Sequence, residues 1–228
     1  MRIAELYKSI QGEGRHTGVE SIFVRTSGCN LRCGFCDTPY TSWQPEGDDR
    51  SVDEIMQQVV ELQCTHVVLT GGEPMLHAEL VPLTQRLRAI GSYITIETAG
   101  TLFLPVECDL LSISPKLANS RPPLAVGARW QQRHERDRHA PDVIRALISA
   151  HDYQFKFVVD SLNDCAEVED YLREFNEIKC ENVLLMPQGI DPETLARHET
   201  WLPQYCQQHD LTYCPRKQIE WFGYTRGT

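Results

Sequence analysis

The sequence predicts an α/β fold, an incomplete (β/α)6 barrel of the TIM type. Short runs of β-branched residues alternate with helical patterns along the chain, which is typical of parallel βαβ units. About six such units fit, fewer than the eight of a full barrel. The length of 228 residues suits one domain with a sizeable core. We therefore expect a single domain over residues 1–228, and the same pattern leaves an open doubly wound sheet as the alternative.

Each predicted strand is a short apolar or β-branched run that ends at turn residues. In chain order the strands are 21–27, 66–69, 93–97, 109–114, 154–159 and 182–186. Ligands bind where loops leave the carboxyl ends of such strands. We therefore expect the functional site in the segments that follow them, which are 28–38, 70–74, 98–101, 114–116, 160–162 and 186–189.

The helices lie between these strands. The first, 52–63, begins with a capping box, because Ser51 precedes Glu54 by three residues. The second, 78–90, closes at Gly91, a typical C-cap residue. The other predicted helices are 141–151, 163–175 and 192–209. The segment 117–139 is less regular, since two prolines interrupt it, and we expect a loop or short surface helix over one rim.

Three cysteines follow the first predicted strand with the spacing C-x3-C-x2-C: Cys29, Cys33 and Cys36. Three thiolates on one tight loop can converge on a metal ion or a cluster. On a four-iron cluster, three ligands leave one iron open for an exogenous ligand. The alternative is a structural zinc site completed by a distant residue, for example His16 or Cys64.

Composition excludes several classes of function. The net charge of −10 argues against a chain that wraps phosphate backbones, and no long apolar run predicts a membrane span. We therefore expect no nucleic-acid or membrane partner. Nine cysteines without a visible export signal favour a reducing, cytoplasmic location over a disulfide framework.

Two motifs together resemble the radical S-adenosylmethionine (SAM) superfamily. They are the cysteine triplet, which contains Phe35 and is followed by Asp37-Thr38, and Thr70-Gly71-Gly72-Glu73-Pro74 after the next strand. The resemblance implies that the three cysteines hold a [4Fe-4S] cluster within a cluster loop at 28–38. It also implies that SAM chelates the open iron and that the 70–74 segment contacts its methionine end.

A wider set of segments narrows the resemblance to the 7-carboxy-7-deazaguanine synthases. The opening Gln11-Gly12-Glu13-Gly14 is the discriminating feature, because glycyl-radical activases share the cluster motif but lack it. Arg25 lies four residues before the first cysteine of the triplet. The other matching segments are 97–101, 114–116, 155–158 and 186–189, so the resemblance runs from Leu6 to the tail at 221–227.

This family resemblance implies a homodimeric lyase. It would convert 6-carboxy-5,6,7,8-tetrahydropterin to 7-carboxy-7-deazaguanine with loss of ammonia, on the route to queuosine. The implied cofactors are the [4Fe-4S] cluster, SAM and Mg2+, and the implied partner is an electron donor such as flavodoxin or ferredoxin. A radical activase of another protein and a non-catalytic zinc-binding interaction protein remain as alternatives.

The resemblance also assigns roles to individual residues, with the chemistry itself carried by the cluster and SAM. Thr38 would offer its hydroxyl to Mg2+. The residues expected to bind SAM are Phe35, Cys36, Asp37, Gly72, Glu73, Ser114, Pro115, Lys116, Met186, Pro187, Gln188 and Gly189. Those expected to bind the pterin are Ile10, Gln11, Gly12, Arg25 and Thr70. Lys156 lies between two phenylalanines, and either a barrel-interior position or a solvated edge fits it.

Overall fold

The computed structural model describes residues 1–228. Its strands are β1 (Arg2–Ile10), β2 (Glu20–Thr26), β3 (Asp48–Asp49), β4 (His66–Gly71), β5 (Tyr93–Thr98), β6 (Leu110–Ile113), β7 (Tyr153–Val159), β8 (Val183–Pro187) and β9 (Thr212–Tyr213). Its helices are α1 (Pro39–Ser42), α2 (Val52–Leu62), α3 (Leu80–Ala89), α4 (Ala128–Asp137), α5 (Pro141–Ala150), α6 (Leu162–Glu174), α7 (Pro192–Glu199), α8 (Leu202–Gln208) and α9 (Lys217–Phe222).

All nine strands join one sheet in the order β3-β1-β2-β4-β5-β6-β7-β8-β9. Every pair from β2 to β9 is parallel. The outer strands β3 and β9 do not pair with each other, so the barrel stays open. The prediction of an incomplete barrel is confirmed, and the six predicted strands correspond to β2 and β4 to β8. One continuous sheet is also what a single domain requires.

Strand β1 was not predicted from the sequence. It pairs antiparallel with β2, for example with Leu6 opposite Val24. Most of its side chains are exposed or half-buried, and Ile3 is its one buried residue. The outer strand β3 pairs only with Arg2 and Ile3, so the rest of β1 is an open edge and lacks the buried run that marked the other strands.

All five helices predicted from the sequence are present, but the last is divided into two. Ser51 and Glu54 form both hydrogen bonds of the capping box at the start of α2, and Gly91 adopts φ +78 after α3. The prediction of a single helix at 192–209 is wrong, because the helix is interrupted between α7 and α8. Pro203 explains the interruption. Proline has no N–H to donate to a helical hydrogen bond, and in the first turn of α8, where Pro203 lies, no such donor is needed.

The core lies between the sheet and its helices. The parallel strands are buried on both faces, which explains their continuous apolar runs. Side chains with no exposed surface include Ile22, Leu69, Ile96, Phe155 and Phe157. All nine cysteines are free. None of the helices has the length and apolarity needed to cross a membrane.

Candidate active site

A cavity of about 820 Å3 opens at the carboxyl ends of the parallel strands. It brings together most of the residues predicted from sequence: Ile10, Gln11, Gly12, Arg25, Cys29, Cys33, Phe35, Cys36, Asp37, Thr38, Thr70, Gly72, Ser114, Lys116, Met186, Gln188 and Gly189. Three predicted residues, Glu73, Pro115 and Pro187, do not line it. The site therefore forms where parallel-strand architecture places ligands.

The three cysteines of the cluster loop line one wall of this cavity. Cys33 packs with Leu31 and Ala99, and Cys29 and Cys36 lie against the same group. Burial raises the pKa of Cys29 to about 12 and that of Cys33 to about 11. No three His, Cys, Asp or Glu side chains surround a single ion position. Three free thiols on one loop fit an iron–sulfur cluster, in which each thiolate binds a different iron atom.

Hydrogen bonds hold the cluster loop against α4 and the segment before it. The Gly34 N–H donates to the carbonyl of Ser120 at 2.9 Å. The Arg32 N–H donates to His134 Nδ1 at 3.2 Å, and His134 Nε2 lies 2.9 Å from Ser120 Oγ. Burial lowers the pKa of His134 to about 4. The ring is therefore neutral at pH 7, with Nδ1 accepting and Nε2 carrying the proton.

The end of β4 approaches the cluster loop so closely that only glycine fits. A Cβ on Gly72 would lie 2.0 Å from the carbonyl oxygen of Gly28. Gly71 has φ +129, and a Cβ there would lie 2.1 Å from the Thr26 carbonyl oxygen. Both glycines thus bring β4 backbone to the cavity wall, which is what contact with the methionine end of SAM requires.

Glu73, one of the residues expected to bind SAM, does not line the cavity and has protein partners for its carboxylate. Its side chain is fully buried and accepts from Met75 N at 3.1 Å, Thr98 Oγ1 at 2.8 Å and Ala99 N at 2.9 Å. Burial raises the pKa of this carboxyl above its usual value, and the three donors oppose that rise. Glu73 therefore ties the end of β4 to the end of β5 and positions the residues that do line the cavity.

The remaining predicted SAM segments follow β6 and β8. Lys116 Nζ donates to the carbonyl and the hydroxyl of Ser114, at 2.7 and 2.8 Å, which closes a tight turn at the cavity wall. Gly189 has φ +144, a conformation that favours glycine. Neither Pro115 nor Pro187 lines the cavity. Within these segments each proline restricts the conformation of the backbone.

Arg25, near the end of β2, also lines the cavity. Its Nε donates to Glu5 Oε2 at 2.9 Å and its Nη2 to the Tyr7 hydroxyl at 3.0 Å, whereas Nη1 has no acceptor within the protein. Burial opposes the charge of Arg25, but Tyr7, Tyr40 and Glu5 outweigh it and raise its pKa. Tyr7 stacks on Phe23 at 5.3 Å, and both line the cavity. This wall offers one free guanidinium N–H edge beside an aromatic surface.

A carboxylate that was not among the predicted site residues joins two that were. Glu97 Oε1 accepts from Gln11 Nε2 at 3.3 Å, and Glu97 Oε2 accepts from the Thr70 hydroxyl at 2.8 Å. All three side chains line the cavity. They form a row of donors and acceptors suited to the polar edge of a planar heterocycle.

Sequence reasoning also missed a buried polar group that we name the Glu13 cluster: Glu13, Lys156, Arg216 and Gln218. Lys156 and Gln218 both contact the Glu13 carboxylate, and Arg216 Nε lies 3.2 Å from Glu13 Oε1. Arg216 also donates to the Gly189 carbonyl at 2.6 Å and pairs with Asp37. The cluster thereby joins β7, the segment after β1 and the segment before α9.

These contacts settle the position of Lys156, whose side chain is 7% exposed and lines the cavity. Burial raises the pKa of Glu13, but the cations Lys156 and Arg216 outweigh it and lower the value to about 2. A lysine between two phenylalanines of a buried strand was the sequence signal for this cluster. It could not be interpreted alone, because its partners lie more than fifty residues away.

Comparison with known proteins identifies the family. The model of the radical SAM superfamily matches residues 23–163. The 7-carboxy-7-deazaguanine synthase of Rhodopirellula baltica is 47% identical over 227 residues, which cover 99% of this chain and 88% of that protein. The chain belongs to the 7-carboxy-7-deazaguanine synthase family. A second synthase of this family, from Halobacterium salinarum, is 41% identical and covers 95% of this chain and 88% of its own length.

Solved structures agree on the fold of this synthase family member. QueE from Escherichia coli has a TM-score of 0.67 and 22% identity, covering 95% of this chain and 93% of its own. Streptococcus suis SuiB bound to S-adenosylmethionine has a TM-score of 0.57 and 15% identity, covering 85% of this chain and 49% of its own. At these identities the likeness shows the radical SAM fold alone.

Family membership makes a [4Fe-4S] cluster and SAM the cofactors of this synthase-family chain. The three cavity-facing thiols, the two glycines at the end of β4 and the turn at Ser114 and Lys116 fit these groups. The cluster prediction is thereby confirmed over the zinc alternative. The synthase relatives likewise favour the lyase over an activase of another protein.

Proposed function

We propose that the protein is a radical SAM lyase that converts 6-carboxy-5,6,7,8-tetrahydropterin to 7-carboxy-7-deazaguanine and ammonia, in the pathway to queuosine. The observation that carries the proposal is one cavity that both the three-cysteine loop and Arg25 line. When bound, the cluster and SAM supply the radical chemistry. The protein binds and orients the substrate and excludes water from it.

We infer that Arg25 binds the carboxylate of the pterin. Its free Nη1 supplies a charge-assisted donor, while Glu5 and Tyr7 fix the orientation of the guanidinium. Gln11, Thr70 and Glu97 would bind the pyrimidinone edge, and Gly12 allows backbone to approach the ring. The stacked Tyr7 and Phe23 rings offer an apolar surface for the bicycle.

SAM would lie between the cluster loop and the ends of β4, β6 and β8. Gly72 would contact its methionine end, and the segments at Ser114 and at Gly189 would hold the rest. Phe35 to Asp37 are proposed to meet the adenine through backbone groups. The Tyr224 hydroxyl donates to the Asp37 carbonyl, so that oxygen already has one partner within the chain.

Thr38 is proposed as the protein ligand of Mg2+. It lines the cavity, and its hydroxyl lies 3.9 Å from Cys36 Sγ and 3.3 Å from the Thr41 hydroxyl. One hydroxyl cannot satisfy an octahedral ion, so the carboxylate of the substrate and water would complete the set. Thr38→Ala should weaken the Mg2+ dependence of turnover and leave the iron content unchanged.

We further propose a homodimer in the cytoplasm, reduced by flavodoxin or ferredoxin. Nine free cysteines, of which Cys180 is exposed, suit a reducing compartment. Sedimentation at several protein concentrations tests the dimer, because a concentration-independent monomer would contradict it.

Anaerobic turnover tests the lyase assignment. The reconstituted protein, given the carboxylated pterin, SAM, Mg2+ and a reductant, should release 7-carboxy-7-deazaguanine. Arg25→Gln should raise KM about 10- to 100-fold, since a hydrogen bond to a charged group contributes about 1.5–3 kcal/mol. Arg197→Gln on the exposed face of α7 is the matched control and should change neither KM nor kcat. Accumulation of 5′-deoxyadenosine without the deazaguanine would contradict the substrate assignment.

A further inference from the structure

The sequence around α4 has a charge opposite to that of the rest of the chain. Residues 115–138 contain six Lys or Arg against two Asp or Glu, a balance of +4. The remaining residues contain sixteen against thirty, a balance of −14. A basic region on an acidic protein concentrates acidic partners at one place on its surface.

In the structure four of these six cations lie with Leu124 and Trp130 on an exposed surface, which we name the α4 basic surface: Arg121, Leu124, Arg129, Trp130, Arg133 and Arg136. All four arginines are exposed. Leu124 is 84% exposed, more than any other large apolar side chain of the protein. Trp130 is half-buried and packs under the Arg133 guanidinium at 5.3 Å. Trp and Arg are enriched in protein interfaces and among the residues that contribute most to binding.

Internal ion pairs do not neutralise this surface. Asp137 lies 3.4 Å from Arg133 and 2.7 Å from Arg136, while Glu135 lies 3.2 Å from Arg121. Arg129 has no carboxylate within ion-pair distance. Two acids thus face more arginines than they can pair, and each pair is exposed, where such pairs contribute little and stay available to a partner.

The α4 basic surface also contacts the cluster loop directly. The Arg32 guanidinium lies 4.5 Å from the centre of the Trp130 ring, and Arg32 immediately precedes Cys33. The Arg32 N–H donates to His134 of α4, and the Gly34 N–H donates to Ser120. A protein bound on this surface would therefore lie beside the loop that holds the cluster.

We propose that the α4 basic surface is the docking site of an acidic one-electron carrier protein. The inference rests on the proposed function, since a radical SAM enzyme needs an electron to reduce its cluster. The donor gives one electron and is oxidised by one equivalent, and the [4Fe-4S] cluster gains it; no atom is transferred. Charge complementarity and contact with the cluster loop together commit the surface to this partner.

The test separates docking from chemistry. The double variant Arg129→Glu/Arg133→Glu is compared with Arg173→Glu/Arg197→Glu, which makes the same charge change on α6 and α7. Each pair contains one arginine with a carboxylate partner and one without. Binding of flavodoxin is measured directly as Kd, and turnover is measured with reduced flavodoxin and, separately, with dithionite.

At low salt the α4 variant should bind flavodoxin at least about tenfold more weakly and lose flavodoxin-driven turnover in proportion. Dithionite-driven turnover should stay within about twofold of the wild type. The difference in Kd should shrink towards 1 M salt, where the Debye length falls to about 3 Å. Leu124→Ser should weaken binding at low and high salt alike, because apolar contact is not screened.

An unchanged Kd, or equal weakening in the α6/α7 control, would overturn the docking site. A shift of the α4 variant from dimer to monomer would assign the surface to a second copy of the chain and would also overturn it. Absence of dithionite-driven product in the wild type would instead refute the proposed function, and the Kd measurement would still decide the docking site.

Discussion

Replacing Lys156 with Met gives the strongest test of how the open barrel is stabilised around the site. Met keeps the length of the side chain and removes its charge, so Glu13 stays buried with Arg216 and Gln218 as its remaining partners. The pKa of Glu13 falls from 4.5 to about 2 in the fold, a net effect of roughly 3 kcal/mol in which the attraction of Lys156 and Arg216 exceeds the opposing effect of burial. Removing one partner of a buried pair costs about 3–5 kcal/mol when nothing replaces it.

Because Arg216 remains, we expect Lys156→Met to lower the free energy of unfolding by about 2–3 kcal/mol. For a chain of this length that loss lowers Tm by about 5–10 °C. Thermal unfolding of the apo-protein at pH 7, followed by circular dichroism, measures it. Lys179→Met is the matched control: Lys179 is exposed and pairs with no carboxylate, so its loss should change stability by less than about 0.5 kcal/mol.

The double variant Glu13→Gln/Lys156→Met completes the cycle. The coupling energy should be favourable by about 1–2 kcal/mol, since the two charges interact directly. If Lys156→Met melts at the same temperature as Lys179→Met, the Glu13 cluster does not stabilise the fold and the reasoning is refuted.

Three further outcomes follow from the same structure. Cys33→Ala should abolish both cluster assembly and product, measured as iron content and turnover, while Cys180→Ala at an exposed position keeps both; retained iron in the first variant would refute the ligand assignment. Gly72→Ala should lower SAM affinity and Tm, because its Cβ would lie 2.0 Å from the carbonyl oxygen of Gly28; calorimetric titration with SAM measures the affinity, and unchanged binding would contradict it. Glu13→Gln should be less stable than wild type at pH 7. The difference in Tm should narrow as the pH falls from about 4.5 towards about 2, because the fold lowers the pKa of the wild-type carboxylate and its stabilising charge is lost over that range. A difference in Tm that stays constant over this range would contradict the prediction.

The local signals in the sequence were sufficient for most of the fold. Apolar runs marked the six long parallel strands, because strands buried on both faces need such residues throughout. The capping box at Ser51 and the glycine after α3 marked helix ends for local reasons that the structure reproduces. The exceptions were β1, most of which has no neighbour on its outer side and lacks an apolar run, and the interruption before α8, which the prediction of one helix at 192–209 did not include.

Local sequence signals also identified only part of the candidate site. The cysteine spacing and the glycines at 71 and 72 could be interpreted directly, because their roles depend on neighbours within a few residues. The surroundings of Glu73 could not, since two of its three donors, Thr98 and Ala99, lie at the end of the next strand. Lys156 was visible but ambiguous, and Arg216 carried no local signal at all.

The sequence by itself determined the strand–helix order, the cluster loop and the class of cofactor chemistry. These depend on residue type and short spacing, which folding does not change. Only the tertiary structure decided which side chains meet across the open barrel: the Glu13 cluster, the Glu97 link between Gln11 and Thr70, and the contact of α4 with the cluster loop. Such pairs join segments far apart in the chain, and their energies arise from burial and charge that exist only once the sheet has formed.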